Sequence, residues 1–220
     1  MKKFKNILLS IALVFAICVP LTLAGCAKHY TVNVSIVGAG GSVMAVGETK
    51  NLTGENDVTE GENFEFNVIP DAHYKVSYIK VDGDYIYNIN STGNTLVPNG
   101  MGEVKPCLFN VSANSNVEVA FVANTYTMSF YYLDGGDYVQ LRNIDGTPVL
   151  VQAQYGTNVT IEGMTNFEFK YSTANSEIKN DWNSQDTFSF NQDLKLYSET
   201  STKEQLIELL VDFLDPNTMA

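Results

Sequence analysis

The chain has 220 residues, of which 45% are hydrophobic and 17% are charged, and its formal net charge is −12. This length allows one or two domains with sizeable cores, and 12 Phe with 12 Tyr are too many for an acidic disordered tail. The acidic balance and a single arginine, Arg142, argue against a nucleic-acid partner, because such a surface needs clustered Lys and Arg.

The first 26 residues predict export. Three lysines precede an apolar run over residues 7–23, and the sequence Leu23-Ala24-Gly25-Cys26 follows. A basic start, a short apolar run and small residues before a cleavage point describe a secretory signal. A plain signal peptide with an incidental cysteine is one interpretation of this pattern.

The four residues ending at Cys26 also resemble a bacterial lipobox, and this resemblance favours a second interpretation. It implies that residues 1–25 are removed as a signal peptide and that Cys26 receives a covalent lipid such as palmitate. Several acyl chains on one residue anchor a protein stably in a bilayer. We therefore expect residues 26–29 to form a lipidated tether, with the protein anchored to the cell membrane and facing outside.

Alternation of apolar and polar residues dominates from Tyr30 to Tyr197 and predicts strands with one buried face. Asp-Gly pairs separate several of these runs and suit the positive φ of tight hairpin turns. The glycine-rich segment over residues 38–41 is interpreted as another hairpin turn. The predicted fold class is mainly β, with two small modules of β-sandwich or β-grasp type and a short C-terminal helix.

An internal repeat divides the alternating region. Tyr30-Thr31 and Tyr126-Thr127 each begin a strand, and glycines follow at similar intervals in both copies. Each copy closes with a final alternating strand, at residues 116–122 and 193–197. The repeat predicts a first module over residues 28–123 and a second over residues 124–200, followed by a helix and tail over residues 201–220.

Short motifs in the two copies resemble known bacterial repeats. The first module is similar to an internalin B-type repeat, and the second resembles the Listeria–Bacteroides repeat. The resemblance implies small β-rich modules that serve secreted and surface-anchored bacterial proteins as stalks or adhesion units. The motifs are Gly41-Ser42-Val43, Val58-Thr59-Glu60-Gly61, Lys80-Val81-Asp82-Gly83 and Phe109-Asn110-Val111-Ser112 in the first module, and Tyr126-Thr127-Met128-Ser129-Phe130, Gly135-Gly136, Tyr155-Gly156 and Leu194-Lys195-Leu196-Tyr197 in the second.

Residues 201–215 carry a helical pattern instead. Ser201 with Glu204, and Thr202 with Gln205, both fit a capping box. The apolar stripe that follows is consistent with packing on the second module or with docking to a partner. Its members are Leu206, Ile207, Leu210, Phe213 and Leu214.

Residues for catalysis are sparse, and we expect no enzyme activity. His29, His73 and Cys107 have no neighbours in the sequence at metal-site or nucleophile spacing, and Cys107 fits a buried strand position. Four oxygen-bearing side chains are candidates for calcium, although turn formation and solubility also account for them. They are Asp82, Asp84, Asn88 and Asn90.

Aromatic residues offer a binding site for an extracellular protein or glycan. Trp182 lies in a polar stretch, and Tyr131, Tyr138 and Tyr155 belong to the same module. Aromatic rings bordered by amides and carboxylates suit sugars or peptide side chains. The other interpretation places Trp182 at the edge of the module's core.

We expect a lipid-anchored, non-enzymatic surface protein that serves display, adhesion or binding. Its partners are the membrane, through the lipid on Cys26, and an extracellular protein or glycan. A secreted hydrolase, or its accessory domain, is the main alternative, because the carboxylates of such a site are paired by the fold and not by the sequence. A solute-capturing lipoprotein is less favoured, since its α/β halves require long helices.

Overall fold

The computed structural model describes residues 27–92, 104–173, 176 and 180–211, with residues 104–108 described by their backbone alone. The predicted signal peptide, Cys26 and the last residues of the predicted helix, including Phe213 and Leu214, lie outside these ranges. Within them, no helix has the length and apolar character needed to cross a membrane.

The chain is mainly β and divides into two compact units. One contains the described residues up to Asp71 together with Val76–Phe121, and the other contains Ala72–Lys75 together with the residues from Val122 onward. Strands β1 to β8 run along the first part of the chain. They are β1 (His29–Val37), β2 (Gly41–Ala45), β3 (Gly54–Thr59), β4 (Asn63–Pro70), β5 (Tyr74–Val81), β6 (Asp84–Asn88), β7 (Val104–Asn110) and β8 (Ser115–Ala123).

Among the described residues of the second part, eight further strands, a 3₁₀ turn over Met164–Asn166 and one α-helix follow. The helix, α1, spans Lys203–Leu209. The strands are β9 (Thr125–Asp134), β10 (Asp137–Gln140), β11 (Leu150–Gln154), β12 (Asn158–Thr160), β13 (Lys170–Thr173), β14 (Asn180–Asp181), β15 (Thr187–Ser189) and β16 (Leu194–Ser198).

Two sheets share one core in the first unit. The larger has the strand order β3-β1-β8-β5-β6, and the smaller has the order β2-β4-β7. Val32 and Val119 from the larger sheet and Phe66 from the smaller are fully buried in one hydrophobic cluster. Burial of one face of each strand therefore explains the alternation in the sequence. Each buried side chain of this size contributes about 1.5–3 kcal/mol to the stability of the fold.

The second unit repeats this arrangement and adds a helix. Its main sheet has the order β10-β9-β16-β13-β14, with β11 also paired to β9, and a small sheet joins β12 to β15. Phe130, Leu196 and Phe190 are buried in its core, together with Leu206 of α1 and Leu210 directly after it. The described part of the apolar stripe therefore packs on its own unit, as the first interpretation of the stripe predicted.

The two units share one strand plan. In each, the first strand lies beside the last strand and runs parallel to it, with β1 beside β8 and β9 beside β16. The registers correspond: Val32 pairs with Ser115 in the first unit, and Met128 pairs with Leu194 in the second.

A side chain ties these two strands together at the same point in both units. The backbone N–H of Thr31 donates to Asn114 Oδ1 at 2.9 Å, and that of Thr127 donates to Asp193 Oδ1 at 2.8 Å. Each acceptor is the residue directly before the last strand of its unit. We call this contact the Asx tie.

The glycines of the repeat also occupy equivalent positions. Gly61 N–H donates to the carbonyl of Val111 at 2.8 Å, and Gly156 N–H donates to the carbonyl of Phe190 at 2.8 Å. The similar spacing of Tyr and Gly in the two copies thus reflects equivalent backbone hydrogen bonds in the two units.

One turn prediction is wrong. Residues 38–41 do not close a hairpin, because β1 pairs with β3 and β8 whereas β2 pairs with β4 in the other sheet. The segment carries the chain from one sheet to the other. In the second unit the corresponding turn is a hairpin, with Gly135 and Gly136 at positive φ between the paired Asp134 and Asp137.

Candidate functional site

A row of paired residues crosses the main sheet of the second unit on its outer face. Because residues that face each other in a sheet project to the same side, the five members of the row share one surface. The opposite face carries the buried Phe130 and Leu196. In order across the strands, the row consists of Asp181, Lys170, Tyr197, Tyr131 and Gln140.

Tyrosine rings occupy the middle of this face. The ring of Tyr197 stacks on that of Tyr131, with centroids 4.9 Å apart, and meets the ring of Tyr138 edge-on at 5.0 Å. All three side chains are half-buried. Such edge and stacked contacts hold the rings in place without removing them from the surface.

Glu199 connects the tyrosines to a charged pair. Its Oε1 accepts a hydrogen bond from the Tyr138 hydroxyl at 2.7 Å and lies 2.8 Å from Lys170 Nζ. Burial, followed by the bond to Glu199, raises the pKa of Tyr138 to about 12. The same carboxylate raises the pKa of Lys170 through a side-chain hydrogen bond. Both partners of the ion pair are partly exposed, so the pair orders the surface more than it stabilises the fold.

A cleft of about 490 Å³ opens beside this pair. It is lined by aromatic rings and by hydroxyl, amide and charged groups, which include three carboxylates and one ammonium group. Its lining residues are Thr165, Phe167, Glu168, Phe169, Lys170, Asp181, Trp182, Asn183, Ser184, Tyr197, Glu199 and Thr200.

Trp182 belongs both to the cleft and to the edge of the core. Its ring meets those of Tyr171 and Phe188 edge-on, at 5.5 and 6.4 Å, and its backbone N–H donates to the carbonyl of Phe169 at 2.8 Å. The indole Nε1 is buried and has no acceptor among the described residues. Trp182 therefore packs at the edge of the core, as the second interpretation predicted, and also lines the cleft, where its binding role stays a prediction.

The groups that line the cleft suit the binding of a ligand. Planar rings offer apolar contact, and Lys170, Asp181 and Glu199 offer charged groups for polar contacts. In the described parts of the chain, no group of three or more His, Cys, Asp or Glu side chains is arranged to hold a metal ion.

The first unit contains a smaller cluster of the same kind. Lys80 Nζ lies 3.1 Å from Glu118 Oε1 and 4.7 and 4.9 Å from the ring centroids of Tyr78 and Tyr85. The hydrogen bond from Lys80 is the largest cause that lowers the pKa of Glu118.

The structure brings together three of the four predicted ligand-binding residues. Trp182 lines the cleft, and Tyr131 and Tyr138 adjoin it through Tyr197. Tyr155 is not among the cleft residues, and it stacks instead on His73 with centroids 4.2 Å apart. The binding role of each residue stays a prediction.

The calcium candidates lie in the turns around β6. Asp82 Oδ1 accepts from the backbone N–H of Asn116 at 2.7 Å, and Asn88 Oδ1 accepts from that of Asn90 at 3.0 Å. Asp84 is exposed at the start of β6. Two of the four side chains therefore support the backbone, and calcium binding stays a prediction. Cys107 lies in β7, and its side chain is outside the described part.

Sequence reasoning missed Tyr197, Lys170 and Glu199. Alternation along β16 already placed Tyr197 and Glu199 on the face opposite Leu196, which was a usable signal. No such signal exists in the sequence for Lys170, because its position beside Tyr197 depends on the antiparallel pairing of β13 with β16.

Comparisons with known proteins do not assign the chain to a family. No family model matches it, and no curated protein matches it. Two solved structures, the major pilin from Streptococcus pyogenes and a mutant of that pilin, align with 79% of this chain and 97% of the pilin chain. Both are 10% identical with a TM-score of 0.22, which is too low to support an argument about function.

Proposed function

We propose that the protein is a lipid-anchored bacterial surface protein whose second unit binds an extracellular protein or glycan through the outer face of its main sheet. The single observation that supports this proposal is the cleft, where Trp182, Tyr197 and the Lys170–Glu199 pair form one surface. Tyr197 and Lys170 lie in strands of the sheet, and a rigid sheet positions such groups better than a loop does.

The anchor belongs to the proposal as well. The lipobox-like residues that end at Cys26 support it, and β1 begins only three residues later, at His29. A covalent lipid at that point would hold the first unit close to the outer surface of the membrane. Incorporation of radiolabelled palmitate into the full chain, but not into a Cys26→Ala variant, tests this element.

We propose that binding occurs without catalysis. Glu199, the carboxylate that accepts a hydrogen bond from Tyr138, also pairs with Lys170. A hydrolytic pair needs one carboxyl group that keeps its proton, and a neighbouring ammonium group opposes this.

Fluorescence of Trp182 tests the binding site directly, because it is the only tryptophan in the chain. The full chain from Ala27 is titrated with neutral hexose and N-acetylhexosamine oligosaccharides and with capped pentapeptides of lysine, glutamate or serine. We expect at least one of these probe classes to change the emission of Trp182 in a saturable way. Because Lys170 orders the site, a Lys170→Gln variant should bind that probe about tenfold more weakly, which corresponds to about 1.4 kcal/mol of binding free energy.

A matched substitution serves as the control. Lys80→Gln removes the same side chain from an equivalent ion pair outside the cleft, so it should leave the titration unchanged. If no oligosaccharide or peptide alters the emission, the binding proposal fails. Release of shorter sugars during the titration would instead assign a hydrolase.

A further inference from the structure

The parallel pairing of first and last strands determines how each unit carries tension. Since β1 and β8 run in the same direction, the chain begins the pair at one end and leaves it at the opposite end. The same holds for β9 and β16. Tension between the two chain ends of a unit therefore acts along the strands and slides them past each other.

Force in this direction stretches all the hydrogen bonds between the two paired strands at the same time; we call these the ladder bonds. Six consecutive residue pairs join β1 to β8, from Val32–Ser115 to Val37–Ala120, and five join β9 to β16. When two strands slide, no bond is lost until several are stretched at once. When strands are peeled from one end, the bonds break singly.

Both ladders are also shielded. The paired strands are interior members of their sheets, with β3 and β5 on the two sides of the first pair, and β13 on one side of the second with β10 and β11 on the other. Val34, Val117, Phe130 and Leu196 cover one face and are at most 1% exposed. Water reaches such hydrogen bonds slowly, and breaking a hydrogen bond that water does not replace costs more free energy than exchanging it for a bond to water.

We propose that each unit is a tensile clamp, in which the parallel terminal strands let the protein bear mechanical force between its ends. The Asx tie strengthens the clamp at the end where the first strand begins. Asn114 holds Thr31 in the first unit, and Asp193 holds Thr127 in the second. This property does not depend on the ligand of the second unit.

Single-molecule pulling in two directions tests the proposal on one sequence. In the first arrangement, the chain from Ala27 to Ala220 is held by handles at its two ends. In the second, handles replace Lys28 and Glu60, which flank the antiparallel pair His29–Thr59, so that the force peels the first unit open. We expect the end-to-end force that unfolds the first unit to be roughly twofold or more above the peeling force, because ladder bonds then break together.

Two measurements keep the result interpretable. Equal melting temperatures for both handle pairs show that only the direction of force differs. Asn114→Ala should lower the force of one end-to-end unfolding event, and Asp193→Ala should lower the force of the other. These two changes identify which unit unfolds in each event. Equal forces in the two directions, with intact folding, would overturn the proposal.

Discussion

Individual residues decide where backbones approach each other, and Gly41 is the sharpest case. A Cβ atom at Gly41 would overlap the ring of Phe121 and would lie 2.6 Å from the carbonyl oxygen of Ile69. The space, and not an unusual φ, requires glycine at the start of β2. The sequence showed a glycine-rich stretch but not which of its glycines meets another strand.

We therefore predict that Gly41→Ala destabilises the protein by about 1–3 kcal/mol, the usual cost of overpacking a filled site. Chemical denaturation, monitored by circular dichroism, measures the loss. Ser42→Ala changes the next residue of the same strand without adding an atom, and it should shift the midpoint far less. A stable Gly41→Ala variant would show that Phe121 and the Ile69 carbonyl move aside at little cost.

Elements were predictable where their signal is local. Alternation located β1, β8, β9 and β16, because the buried faces of these strands follow directly from the sequence. Pairing was not predictable, because partners such as Lys170 and Tyr197 are joined by the fold alone. The misread segment over residues 38–41 and the absence of Tyr155 from the cleft have the same origin, since both depend on which sheet a strand joins.

The start of α1 gives an element-scale prediction. Of the two capping boxes that the sequence offered, the structure uses Thr202 with Gln205: Gln205 N–H donates to Thr202 Oγ1 at 3.3 Å, and Thr202 N–H donates to Gln205 Oε1 at 2.9 Å. Thr202→Ala should cost about 1 kcal/mol, because a helix N–H loses its acceptor. Thermal melting tests this, with Ser201→Ala as the control; equal losses for the two variants would contradict the assignment.

At the scale of the whole molecule, charge governs the response to pH. Hydrogen bonds lower the pKa values of three carboxylates. The largest cause for Glu118 is the bond from Lys80, and for Asp145 it is the bond from the Thr147 hydroxyl. For Asp186 it is the bond from the backbone N–H of Thr165. A lowered pKa in the folded state means that the unfolded chain binds protons first as pH falls. These carboxylates therefore stabilise the fold above their ordinary values of 4.5 and 3.8, and the benefit is lost below them.

We expect the melting temperature to fall as pH drops below about 4.5 and to continue falling through the lower pKa values of the folded state. A series of thermal melts from pH 7 to pH 2.5 measures this dependence. Asp186→Asn should flatten the acidic part of the curve, whereas Glu208→Gln, at an exposed site on α1, should not. A melting temperature that stays constant to pH 2.5 would contradict the expectation.

The closure of each unit on its own first and last strands has a genetic consequence. The coding segment from the first to the last strand of a unit supplies both strands of that unit's parallel ladder. Duplicating such a segment at the junction between Ala123 and Thr125 would leave the two strands of each ladder within one segment. Copy number then becomes a means by which such a gene sets the length of its product.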